Sequence, residues 1–248
     1  MRRDFRPVPL NAKASWKIAN KWRAISSRNV LAKVDGADAK LKNELIIYTA
    51  HWDHLGRNPN LQGDQIYNGA LDNASGTAAL LELAQAFTKI QLKRSVLFLS
   101  VTAEEKGLLG ARYYATHPLY SIERTIANIN IDGMNIYGRT RDLVLVGLGK
   151  SNLDDRLRAL AAMQGRVVVP DQFPDKGFFY RSDHFSFAKV GVPALSINSG
   201  DDLMTGGTAA GVAAREEYNA KRYHQPSDEW SADWNLGGIV LDVGLFYT

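Results

Sequence analysis

Cysteine is absent from this 248-residue chain. That excludes disulfides, thiolate metal ligands and a cysteine nucleophile together. A strong charge imbalance is also lacking: 30 Lys and Arg against 26 Asp and Glu leave a formal +4. The basic residues are scattered, and no run is long enough for a nucleic-acid-binding arm, so a nucleic-acid partner is not expected. No stretch approaches the roughly 20 apolar residues of a membrane span. Met1-Arg2-Arg3-Asp4-Phe5 has two arginines but no apolar run behind them, so it does not form a signal peptide as it stands. With 45% apolar and 23% charged residues, the remainder is an ordinary globular composition.

What is present is a rhythm of apolar runs and helical periods. Residues 29–34 and 45–49 suggest two strands paired through a hairpin-like connection at Asp35-Gly36. Residues 73–89 have helical spacing, with Leu80, Leu83, Ala84 and Phe87 on one face. Residues 95–101 are a nearly continuous apolar run, as expected for a strand covered on both faces. A helix over 104–116, a strand over 126–131, a helix over 153–163 and strands over 166–169 and 192–197 follow. This alternation predicts an α/β fold with a mixed, mostly parallel sheet between helices. Two longer loops interrupt it, 170–182 and 199–225, the second carrying a short helix over 209–218. Loops of that length in a compact domain are usually functional or mobile.

Ligand-type residues recur at the ends of these strands. His51 lies just past the second strand, Glu104-Glu105 follow the strand over 95–101, and Asp132 follows the strand over 126–131. Open α/β sheets gather ligands outside the carboxyl ends of their strands. Asp72 precedes a helix start, where an N-cap aspartate is the common local explanation. Adjacent acids at a helix start are favoured by the helix dipole alone, yet one of such a pair can bind a metal while the other moves a proton. His224 sits in irregular sequence after the longest loop. Each residue has an ordinary structural explanation; the ordered set does not. Histidine and carboxylate without sulfur suit zinc, or less selectively manganese or cobalt.

The segments Ala50-His51-Trp52-Asp53-His54-Leu55-Gly56, Gly69-Ala70-Leu71-Asp72-Asn73-Ala74-Ser75-Gly76, Thr102-Ala103-Glu104-Glu105-Lys106-Gly107, Asn130-Ile131-Asp132-Gly133 and Tyr223-His224-Gln225-Pro226-Ser227-Asp228 resemble the co-catalytic dizinc exopeptidases. That family includes aminopeptidase Y, bacterial leucine aminopeptidases and glutamate carboxypeptidases. The resemblance implies a three-layer α/β/α sandwich and a zinc-dependent aminopeptidase that acts on peptides. It implies two Zn2+, with Mn2+ or Co2+ as substitutes: His51 and Asp132 on one, Glu105 and His224 on the other, Asp72 bridging. Glu104 would be the general base, Tyr223 an oxyanion stabiliser, and Asp53 a carboxylate orienting His51. Phe178, Phe179, Tyr180, Asp183 and Met204 are candidates for the substrate pocket. A glutamate carboxypeptidase-type reaction, with Arg181 and Arg222 flanking the loops, a one-zinc glutaminyl cyclase and a non-catalytic receptor-like member remain as alternatives. The same resemblance places residues 1–27 as the remnant of an upstream region and 28–248 as the catalytic domain. It also implies an extracytoplasmic location, and the apolar run over 239–248 suggests a helix cut short. Oligomeric state is not legible in the sequence.

Overall fold

Alternate residues of two central strands face opposite helical layers, and that alternation builds the molecule. The computed structural model describes Asp4 and residues 6–248. Its strands are β1 (Val30–Val34), β2 (Leu45–His51), β3 (Gly56–Arg57), β4 (Ile66–Tyr67), β5 (Ser95–Val101), β6 (Thr125–Asn130), β7 (Asp142–Leu145), β8 (Val167–Pro170) and β9 (Ala194–Ser199). Seven of them form one sheet in the order β1-β5-β2-β6-β9-β7-β8, and β3 pairs with β4 separately. β5, β2, β6 and β9 run parallel. β1 is antiparallel to β5, and β7 antiparallel to β9 but parallel to β8. The sheet is therefore mixed and mostly parallel, as expected.

The helices are α1 (Ser75–Phe87), α2 (Leu109–Thr116), α3 (Leu153–Met163), α4 (His184–Ala188), α5 (Gly207–Lys221) and α6 (Gly237–Tyr247). Tyr48 and Ala50 of β2 and Val96 and Phe98 of β5 pack with Leu80 and Leu83 of α1, Leu157 of α3 and Leu245 of α6. The intervening residues, Leu45, Ile47, Leu97, Leu99 and Val101, pack on the other face with Ala111 and Tyr114 of α2 and Phe187 of α4. A strand's period of two assigns its side chains to both layers, and covering both faces allows the run over 95–101 to be apolar throughout. Fully burying a side chain such as Leu83 stabilises the fold by about 1.5–3 kcal/mol.

Three expectations are corrected. β1 and β2 do not pair as a hairpin, because β5 lies between them. The connection out of β1 is instead stitched to the segment entering β5: Ala37 and Asp38 N–H groups donate to the carbonyls of Leu92 and Lys93. Nor is 104–116 one helix. Gly107 and Leu108 take left-handed backbone angles, separating a short turn over Glu104–Lys106 from α2. β7 has no counterpart in the sequence reading, and the helix of the last long loop spans Gly207–Lys221 rather than 209–218.

A candidate metal site at the strand ends

β5, β2 and β6 are adjacent and parallel, so their carboxyl ends open on one edge of the sheet. His51 is the last residue of β2, Asp132 comes two residues after β6, and Glu104 and Glu105 three and four residues after β5. The topology thus brings distant sequence positions to one place. His51 Nε2 lies 3.1 Å from Asp72 Oδ1 and 3.1 Å from Asp132 Oδ1. His224 Nε2 lies 3.2 Å from Asp72 Oδ2 and 3.2 Å from Glu105 Oε1. Each oxygen of Asp72 therefore faces a different histidine.

Polar contacts pin these side chains from behind. The Asp228 carboxylate accepts from the N–H groups of Leu71 and Asp72, and its carbonyl accepts from Ala70 N–H, which fixes the loop presenting Asp72. Asn73 donates to the Ile131 carbonyl and accepts from Gly76 and Gly133 N–H groups, joining that loop to the end of β6. A Cβ on Gly76 would collide with Asn73 and with the Ile131 carbonyl, so only glycine fits where α1 meets the strand. Ser182 Oγ donates to Asp132 Oδ2 at 2.5 Å and accepts from Asn130 Nδ2 at 2.7 Å. Ala103 and His224 both hold left-handed φ, of 57° each, an uncommon conformation that clusters at functional sites.

The role expected of Asp53 divides between two of its groups. Its carbonyl, 2.8 Å from Nδ1, orients His51. Its carboxylate accepts from Thr102 Oγ1 and Ala103 N–H, and so holds the turn carrying Glu104 and Glu105. His54 enters the site unanticipated. Its Nδ1 lies 2.8 Å from Glu105 Oε1, and His54, Asp72 and Glu105 present donor atoms within 4.8 Å of one another. The signal for it in the sequence is its place three residues after His51.

The electrostatics suit a cation. Among the described residues no lysine or arginine pairs with Asp72, Glu105 or Asp132; their close basic contacts are all histidines. Burial opposes charge on His51, yet the carboxylates of Asp132 and Asp72 push its imidazole up to about 12. Burial likewise opposes ionisation of Asp72, but His224 and His51 hold it well below the usual carboxylate range. Glu104 is 9% exposed. Burial, followed by the charges of Asp132 and Asp183, pushes its carboxyl up to about 9. Nitrogen and oxygen donors crowded together with surplus negative charge fit divalent zinc.

A cavity of about 920 Å³ opens beside these residues and includes Asp72, Glu104, Glu105, Asp132, Tyr223 and His224 in its wall. Tyr223 stacks on His224 with ring centroids 3.9 Å apart. Burial and the nearby Asp72 push its phenol up to about 12, so it stays protonated at neutral pH. Of the expected pocket residues, Phe178 and Tyr180 line the cavity. Phe179 does not: its ring fills the space that a side chain at Gly147 would occupy, and packs against His184. Asp183 is buried beneath the site at 1% exposure, where burial pushes its carboxyl up to about 8. Met204 lines a separate pocket of about 360 Å³ instead, and its N–H donates to the Arg139 carbonyl.

The model of peptidase family M28 matches residues 29–245. Leucine aminopeptidase 2 of Trichophyton rubrum is 27% identical over 233 residues, covering 87% of this chain and 42% of that protein. The structure of the aminopeptidase from Aneurinibacillus sp. strain AM-1 superposes with a TM-score of 0.59 at 27% identity, covering 88% of this chain and 46% of that one. The LapA aminopeptidase of Legionella pneumophila gives 0.64 at 20% identity over 88% of this chain and 52% of that one, a likeness of fold. The chain thus spans less than half the length of the curated relative it matches. No helix among the described residues is long and apolar enough to cross a membrane.

Proposed function

The chain belongs to peptidase family M28, and on that premise we propose that it is a two-zinc aminopeptidase that removes the first residue of peptides. The observation that carries this reading is the two-sided placement of Asp72, with Oδ1 3.1 Å from His51 Nε2 and Oδ2 3.2 Å from His224 Nε2. A carboxylate so placed can serve two cations at once. His51 and Asp132 would hold one zinc and Glu105 and His224 the other, with Asp72 shared. Bound zinc supplies a Lewis acid and lowers the pKa of water toward about 7. Mn2+ or Co2+ would fit the same donors less selectively.

The chain's own residues supply the rest. Glu104 stands in the cavity wall next to Glu105. It takes the proton of the attacking water and passes it to the amine released when the peptide bond breaks. The negative field of Asp132 that raises its pKa is offset once cations sit among the carboxylates. The Tyr223 phenol, kept protonated, donates to the developing oxyanion. Asp228, Asn73, Ser182 and the Asp53 carbonyl hold Asp72, Asp132 and His51 in place before substrate arrives, and positioning of this kind lowers the barrier.

The test is direct. Zinc-loaded protein should release aniline dye from leucine p-nitroanilide, and blocking the amino group of the substrate should stop it. Hydrolysis of N-blocked peptides from the carboxyl end, with none of the anilide, would replace this reading by the carboxypeptidase one.

A further inference from the structure

We propose that Arg181 makes the cavity selective for peptides that present a carboxylate, supplied by an acidic first residue or by the free carboxyl terminus of a short peptide. The inference rests on the aminopeptidase reading and names its substrate class. Away from the metal-binding carboxylates, the cavity wall carries Arg112, Lys176, Arg181, Lys189 and Arg215 against only Asp171 and Asp201. Both acids are engaged. Asp201 is paired with Arg215 at 2.9 Å, and Asp171 accepts from the Phe173 N–H at 2.8 Å. Arg112, Lys176, Arg181 and Lys189 have no ion-pair partner among the described residues. Four unpaired positive charges against one unpaired carboxylate, Asp171, leave this part of the concave wall net positive, which attracts an anionic ligand.

Arg181 lines the same cavity as the site residues and is joined to them through the chain. It is bonded in sequence to Ser182, whose hydroxyl holds Asp132. The guanidinium carbon lies 5.4 Å from the centre of the Phe178 ring, which steadies a planar donor group without consuming its N–H bonds. Lys176 and Lys189 lie over Phe173 and Phe185 instead. A carboxylate meeting a preplaced guanidinium makes charge-assisted, two-pronged hydrogen bonds.

The test measures binding separately from turnover, using zinc-loaded Glu104→Gln protein and calorimetry with Leu-Gly-Gly, Leu-Gly-Gly-amide and Glu-Gly-Gly-amide. At least one of the two carboxylate-bearing peptides should bind about tenfold more tightly than Leu-Gly-Gly-amide. Which one does so identifies the source of the carboxylate. Adding Arg181→Gln should bring that ratio close to one, and Arg181→Lys should keep part of it; circular dichroism checks that the variants are folded. Equal affinities for all three peptides, absence of binding, or a ratio unchanged by Arg181→Gln would overturn the proposal. Wild-type turnover of leucine p-nitroanilide reports on the aminopeptidase reading alone. A preference in binding without that turnover would retain the role of Arg181 and remove the reading beneath it.

Discussion

Glu105 Oε1 is shared by two imidazoles, lying 2.8 Å from His54 Nδ1 and 3.2 Å from His224 Nε2. His54 has a side chain only 6% exposed and His224 one 32% exposed. The two should therefore differ in function, with His224 facing the cavity as a ligand and His54 holding Glu105 from within. His224→Ala is expected to lower bound zinc from two per chain to about one. His54→Ala should keep both but weaken zinc affinity by roughly 10–100-fold, the usual effect of losing a group that orients a ligand. Zinc content after dialysis, and titration with a chelating dye, separate the two outcomes.

Glu104→Gln removes the proposed proton carrier while keeping the shape of the side chain. Turnover should fall by about 10²–10⁴-fold, with zinc content unchanged. A drop in zinc content alongside activity would make Glu104 a ligand instead.

Tyr223→Phe deletes one hydroxyl and keeps the stack on His224. If the phenol meets the oxyanion, kcat should fall by about 10–100-fold with little change in KM. A change confined to KM would place the hydroxyl on bound substrate instead.

Asp228→Ala tests the support of the shared carboxylate. It leaves the Leu71 and Asp72 N–H groups without their buried acceptor, at a cost of about 1–3 kcal/mol. Both thermal stability and zinc affinity should fall, whereas loss of stability alone would separate Asp228 from the site.

His184 carries a pH dependence that does not pass through the metals. It is fully buried, and burial pushes its imidazole down to about 4 from an ordinary 6.5. Its folded pKa lies below its unfolded one, so the unfolded chain binds the extra proton between those values. Stability is therefore fully present above about pH 6.5 and is lost as pH falls toward 4, by roughly 3 kcal/mol. In chelator-treated protein, urea unfolding at pH 7 and pH 4.5 should show this loss in wild type and a smaller one in His184→Leu.

Much of the site is legible in the sequence because parallel strands place their carboxyl ends on one edge. His51, Glu104, Glu105 and Asp132 follow strands whose apolar runs are unmistakable, and the structure brings them together with Asp72 and His224. What is not legible depends on long-range packing. β5 separates β1 from β2 through contacts between residues 37–38 and 92–93, which local turn chemistry at Asp35-Gly36 does not reveal. Phe179 and Phe178 are neighbours of the same type, yet the absence of a side chain at Gly147 draws one inward and leaves the other on the cavity wall. The Asp53 carboxylate finds Thr102 and Ala103 rather than His51, since the carbonyl of Asp53 is already within reach of the ring.

The central claim is that two metals share Asp72, and anomalous diffraction at the zinc edge from zinc-loaded crystals tests it most directly. Two peaks about 3.5–4 Å apart are expected, one touching His51 and Asp132, the other Glu105 and His224, with an Asp72 oxygen on each. A single peak, or a second one that does not touch Asp72, would contradict it.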